Sequence, residues 1–183
     1  MLFLTIQIEE SIPFGEYAPH KYVNGGAKMK NVTYIEDVNT WKEGFSFFID
    51  VKVRFSEVDM FGHMNNTVPF VYFEQARIDY FKSLGFMQDW VKPDHETMIV
   101  VADLQCDFAK QVYFDEHIRL FVKAGEIGNS SVDLHYMGLN AKDDICFVGR
   151  GTMVQISKRT GKGASWTVEM KNRFNESPSG SIS

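Results

Sequence analysis

The chain has 183 residues, with 24 acidic and 19 basic side chains and a formal net charge of −5. That balance argues against a protein made mainly to bind nucleic acid, and no apolar run is long enough to cross a bilayer as a helix. The length suits one domain with extra segments, and an apolar fraction of 44% is enough for a sizeable core.

Residues 1–41 show weak periodicity and many turn formers, so they read as an irregular arm, and Met29 is a second candidate for the first residue. The opening "MLFLTIQIEES" has no basic start and soon meets Glu9 and Glu10, which excludes a signal peptide. Cys106 and Cys146 sit in apolar runs without a C-x-x-C. They are expected as buried, reduced thiols, which points to a soluble cytoplasmic protein.

From Phe45 an alternation sets in. Phe47, Ile49, Val51, Val53 and Phe55 share one strand face, and Asp50, Lys52, Arg54 and Ser56 the other. Continued, it carries Glu57 and Asp59 to the apolar side, where a carboxylate needs a reason. A helix is expected from about Asn66. Its apolar stripe is Phe70, Phe73, Tyr80, Phe81 and Leu84 with Ala76 and Arg77 beside it, its polar face is Gln75, Asp79 and Lys82, and Gly85 ends it. Four strands follow: 98–109, 117–126, 131–140 and 145–156. Short turns between them favour antiparallel pairing. Gly149 and Gly151 share a face of the last strand and predict close approach of another backbone, such as the helix. The final "NESPSGSIS" reads as a flexible tail. The sum is an α+β domain over residues 42–158, a curved five-stranded antiparallel sheet around one long helix, followed by a C-terminal segment, 159–183.

Between strand and helix lies "VDMFGHMNNT", Val58–Thr67. Gly62 permits a sharp turn after Asp59. Asn65 or Asn66 can cap the helix, whose first N–H groups are unpaired and carry partial positive charge. A carbonyl oxygen resting on those amides is polarised toward an oxyanion, and Asp59 can attack the carbon or activate a water. Asp, Gly and Asn are also ordinary turn formers. The inward face of Asp59 is what favours chemistry.

"RFSEVDMFGHMNN" followed by "YFEQAR" resembles the 4-hydroxybenzoyl-CoA thioesterase family of hotdog-fold enzymes, over about residues 42–158. The resemblance implies a sheet wrapped around a helix, a homodimer or homotetramer, and hydrolysis of an acyl-CoA substrate at the dimer interface. It also implies that Asp59 is the catalytic acid and that the backbone N–H of Asn66 is the oxyanion donor. Where many relatives carry a tyrosine early in the helix this chain has Pro69, tolerated because an N–H there lacks a helical partner anyway.

Gly62, His63, Asn65 and Glu74 are the candidate substrate-binding residues. His63 can bond the thioester or orient Asp59, or it can simply satisfy the turn. Glu74 can position water or pair with Arg77, and Glu57 reads as hydrogen-bonded structure. Lys158 and Arg159 can meet phosphates or form a solvated basic turn. No histidine pair has ligand spacing with a third acid, so no metal is expected, and no cofactor is implied. A non-catalytic acyl-CoA or acyl-carrier-protein binding module is the alternative on the same fold. A hydratase ranks last, because "D-x-N-P-x-H" is missing.

Overall fold

The computed structural model describes residues 32–176 and the backbone of residues 180–181. In chain order the elements are α1 (Val38–Glu43), β1 (Phe47–Lys52), a 3₁₀ turn (Phe55–Glu57), α2 (Val68–Ser83), α3 (Met87–Trp90), β2 (Thr97–Val101), β3 (Gln105–Phe108), β4 (His117–Ile127), β5 (Ser131–Leu139), β6 (Ile145–Ser157), α4 (Val168–Asn175) and β7 (Gly180–Ser181). The strands form one sheet in the order β2-β6-β5-β4-β1-β7, with β3 also on β6. Every pairing is antiparallel except that of β1 with β7. The sheet curls around α2, the expected hotdog arrangement.

Period-2 alternation explains the inner wall. Ile118, Leu120 and Val122 of β4, and Val132, Leu134 and Tyr136 of β5, are buried in one core with Phe47, Ile49 and Val51 of β1. The stripe on α2 meets them: Phe73, Ala76, Tyr80 and Phe81 are buried, and Phe70 half-buried. Gly85, with φ +79°, closes the helix as expected; its N–H bonds Lys82 O and that of Phe86 bonds Phe81 O. Phe73 lies flat on Tyr136, ring centroids 4.3 Å apart. A Cβ on Gly149 would sit 2.5 Å from Cε2 of Phe73, so this glycine lets the helix approach the sheet. A Cβ on Gly151 would instead strike Leu104 and the Asp103 carbonyl of the edge segment.

Three expectations are corrected. The single strand expected over 98–109 is two strands, broken at 102–104. There Asp103 turns its carboxylate onto Thr152, accepting from its N–H at 3.1 Å and its hydroxyl at 2.9 Å, in place of a ladder bond. The alternation from Phe45 ends at Val53, because the 3₁₀ turn breaks the period; Phe55, expected inside, is 78% exposed. The helix starts at Val68 rather than Asn66. The sheet also gains the short parallel strand β7.

The described part of the expected arm contains α1, capped by Asp37, whose Oδ1 accepts from Thr40 N–H at 2.8 Å. Its Trp41 packs with Val32 on Met137, Leu139 and Val148. These alternate along β5 and β6 with residues of the main core, so segment 32–45 covers the outer face of the sheet. The remainder of the arm and most of the expected flexible tail lie outside the described residues.

Replacing Gly149 by alanine is expected to destabilise the fold by about 1–3 kcal/mol, because Phe73 and the Gln105 carbonyl must both give way. A urea unfolding midpoint equal to that of the parent would contradict this.

Candidate active site

The seam between β1 and α2 is a closed loop, built mainly by backbone hydrogen bonds. Val58 and Met64 form an antiparallel bridge, and His63 bridges Tyr113. The N–H of Asp59 donates to His63 O at 2.8 Å, and that of Gly62 to Asp59 O at 3.0 Å. Gly62 has φ +79° with nothing within 4 Å of where a Cβ would stand, so backbone conformation alone demands glycine there. Met64 N–H donates to Val112 O, fixing the loop against the segment after β3.

Asp59 is half-buried at the start of this loop. Its Oδ1 accepts from the N–H groups of Phe61 (2.8 Å) and His63 (3.2 Å). Among the described residues Oδ2 has no hydrogen-bond partner. One carboxylate oxygen is therefore held by the turn while the other is available. His63 takes part in that turn through its backbone; its ring stands edge-on to Tyr113, centroids 5.1 Å apart.

Asn65 organises the entry to α2. Its Oδ1 accepts from Thr67 N–H (3.1 Å) and hydroxyl (3.0 Å), and its carbonyl accepts from Val68 N–H. The helix N-cap is Thr67, whose own side chain makes no capping bond. Asn66 is exposed, and nothing among the described residues accepts from its N–H. Pro69 is in the first turn, where it sacrifices no helical bond.

Glu57 ties this loop to the helix. Its Oε2 accepts from the Tyr72 hydroxyl at 2.6 Å and Arg54 N–H at 2.7 Å, while its carbonyl accepts from Asn65 N–H at 2.8 Å. Burial, reinforced by Glu57, pushes the Tyr72 phenol well above its ordinary pKa. Tyr72 was not among the sequence candidates. It is 5% exposed and stands four residues before Ala76 and eight before Tyr80, both buried, a signal available from the 3.6 period.

Other candidates stand apart. Glu74 is exposed on α2 and, among the described residues, makes no ion pair with Arg77. Arg77 is 8% exposed, and its buried Nη1 lies beside the buried hydroxyl of Tyr136. Lys158 donates to the carbonyls of Trp90 (3.2 Å) and Lys92 (3.1 Å), closing the end of α3. Cys106 and Cys146 are free thiols whose pKa values burial raises, to about 12 and about 11. Among the described residues no three His, Cys, Asp or Glu side chains are grouped to hold a metal, and no helix is long and apolar enough to cross a membrane.

The surroundings of Asp59 are apolar and open. Met60 (90%), Phe55 and Phe61 are exposed, and Tyr113 and Phe114 are about half exposed. A cleft of about 410 Å³ beside the seam is lined by Arg54, Tyr72, Gln75, Phe114 and others. Asp59 lines neither it nor a cleft of about 470 Å³ between residues 92–97 and residues 165–170.

Residues 53–174, which hold the seam, α2 and β2 to β6, match the thioesterase-like superfamily. The chain belongs to that superfamily. It is 51% identical over 144 residues to the uncharacterized protein YsmA of Bacillus subtilis (strain 168), covering 78% of this chain and 95% of that one. Among solved structures it is similar to a predicted thioesterase from Bacillus stearothermophilus, at TM-score 0.64 and 25% identity, over 72% of this chain and 95% of that one. It is similar also to a thioesterase from Thermus thermophilus complexed with coenzyme A and Zn, at TM-score 0.62 and 25% identity, over 73% and 95% of the two chains. Membership of the thioesterase-like superfamily and the hotdog fold thus agree, and with the thioesterase structures they support thioester hydrolysis.

Tyr72→Phe is expected to cost about 1–2 kcal/mol by leaving Glu57 short of a donor, and to loosen the seam. Amide hydrogen exchange across 57–67 should quicken relative to β5. Unchanged protection would show that Glu57 does not hold the loop.

Proposed function

We propose that the protein hydrolyses acyl-CoA thioesters to the free acid and CoA, with Asp59 as nucleophile or general base and the Asn66 N–H as oxyanion donor. The observation that carries this reading is the pair of groups at the seam that have no hydrogen-bond partner among the described residues, Asp59 Oδ2 and Asn66 N–H. Water supplies the hydroxyl that ends on the acyl carbon, and the thiolate leaves and is protonated as CoA. A group able to take or share a proton and a donor fixed before the reaction are what that step requires. The coenzyme A bound to the Thermus thermophilus thioesterase supports CoA as the carrier.

Gly62 and His63 act through the backbone of the loop, Asn65 also through its side-chain Oδ1, and Glu74 faces solvent on α2. The exposed Phe55, Met60, Phe61 and Phe114 support completion of the acyl site by a second copy of the chain, in a homodimer or homotetramer. A cytoplasmic location, with no nucleic-acid or membrane partner, belongs to the same reading.

The test separates charge from architecture. In Asp59→Asn the side-chain carbonyl can still accept from Phe61 and His63 N–H, so the melting temperature should hold. Hydrolysis across short, long and aromatic acyl-CoAs should fall by about 10²- to 10⁴-fold. Hydrolysis by Asp59→Asn at the parent rate would reject the assignment. Tight acyl-CoA binding without turnover by the parent protein would make it a binding module.

A further inference from the structure

On the outer face of the sheet, away from the seam, one of the hydrogen bonds that fasten segment 32–45 joins Trp41 to His135. The indole Nε1–H of Trp41 lies 2.8 Å from His135 Nδ1. An indole N–H can only donate, so Nδ1 must be the unprotonated nitrogen. The proton is then on Nε2, which faces Asp133 Oδ2 at 3.1 Å. A doubly protonated imidazole has no lone pair to offer Trp41.

Each charged or titratable neighbour of this ring has a defined place. From β5, Asp133 receives Nε2–H and is also gripped by Arg150 of β6, with Nε at 3.0 Å and Nη2 at 2.7 Å from Oδ1. Arg150 and Thr152 connect onward to Asp103. Burial works to raise the Asp133 pKa, but His135 and Arg150 together hold it below the usual carboxylate range. From β4, the Lys123 ammonium lies over the rings of Trp41 (5.4 Å) and Phe45 (4.6 Å) and donates to the Trp41 carbonyl. From the segment itself, the Tyr34 ring stands 5.3 Å from the imidazole, its hydroxyl directed to Asp107. His135 is therefore the group in this cluster whose second proton would have to sit on the nitrogen that accepts from Trp41.

We infer that Trp41 and His135 form an acid-released latch: segment 32–45 is bound to the sheet while His135 is neutral and lifts from it when His135 takes a second proton. Protonation puts a ring N–H against the indole N–H, with the Lys123 cation already beside it. Asp133 stays ionised and favours the imidazolium, so the bond to Trp41 is the one that yields. A Cβ on Gly125 would lie 3.0 Å from Nε2, so the ring is closely seated and has little room to turn away. Once Trp41 leaves, Met137, Leu139 and Val148 lose their cover.

The sign follows from the proton count: the latch is closed at the alkaline end and opens as pH falls. The chain has three tryptophans, so the full-length protein labelled with 5-fluorotryptophan should give three ¹⁹F resonances, Trp41 being the one absent from Trp41→Phe. As the pH is lowered the Trp41 resonance should move toward its solvent-exposed position while Trp90 and Trp166 stay, and proteolysis within 32–45 should increase. His135→Asn supplies a carbonyl acceptor at every pH and should remove the transition with the segment still bound. The imidazole signals of His135 in the parent protein should titrate with the same midpoint as Trp41. A Trp41 transition surviving in His135→Asn, a different midpoint for the two residues, or a Trp41 resonance that does not move would each overturn the inference.

Discussion

Helix α2 rests on the sheet at Gly149, where the edge of Phe73 occupies the space a side chain would fill and its face lies on Tyr136. That seat sets the height of the helix above the strands, and with it the position of its N-terminus. Tyr72, one residue earlier, then reaches Glu57, and Glu57 anchors both Arg54 and Asn65. The loop carrying Asp59 hangs between these anchors and the bridge to Tyr113. The arrangement at the seam is thus a consequence of core packing, transmitted through one phenol and one carboxylate.

Two kinds of interaction divide the work. The inner core is almost wholly apolar and aromatic, as a helix stripe over alternating strands requires. The loop at its mouth is held by backbone groups and two acidic side chains, Glu57 and Asp59, each accepting two hydrogen bonds. The roles of the two acids differ with their bonding. Each keeps its other oxygen without a hydrogen-bond partner among the described residues, but Glu57 ties the loop to α2 through Tyr72, whereas Asp59 bonds only within its own turn.

Much of this was legible in the residues. The alternation through Phe47, Ile49, Val51 and Val53, the aromatic stripe of α2, the helix stop at Gly85 and the antiparallel hairpins all follow from local periodicity and turn chemistry. The reason for Gly149 was legible too, since a bare strand face invites a close neighbour. What escaped were features decided by partners distant in sequence. Phe55 turns outward because a 3₁₀ turn forms where Glu57 can take Arg54 N–H, and periodicity cannot report such a bond. The break at 102–104 depends on Thr152, 49 residues away from Asp103. Helix α1 is only 6 residues long, too short for a period to show, and it is placed by Trp41 against His135, 94 residues on. Helix α4 was passed over within the C-terminal segment; its Phe174 packs on Phe86 and Trp166.

The two-residue parallel strand β7 has a consequence for how the sheet can grow. It occupies ladder positions beside Phe47 and Phe48 on the outer margin of β1, whereas among the described residues no strand pairs with the far margin of β2 and β3. A sheet open at both margins can add copies without limit and run into a filament. Where β7 lies, the ladder groups of β1 beside Phe47 and Phe48 are already used and offer no template to a further strand.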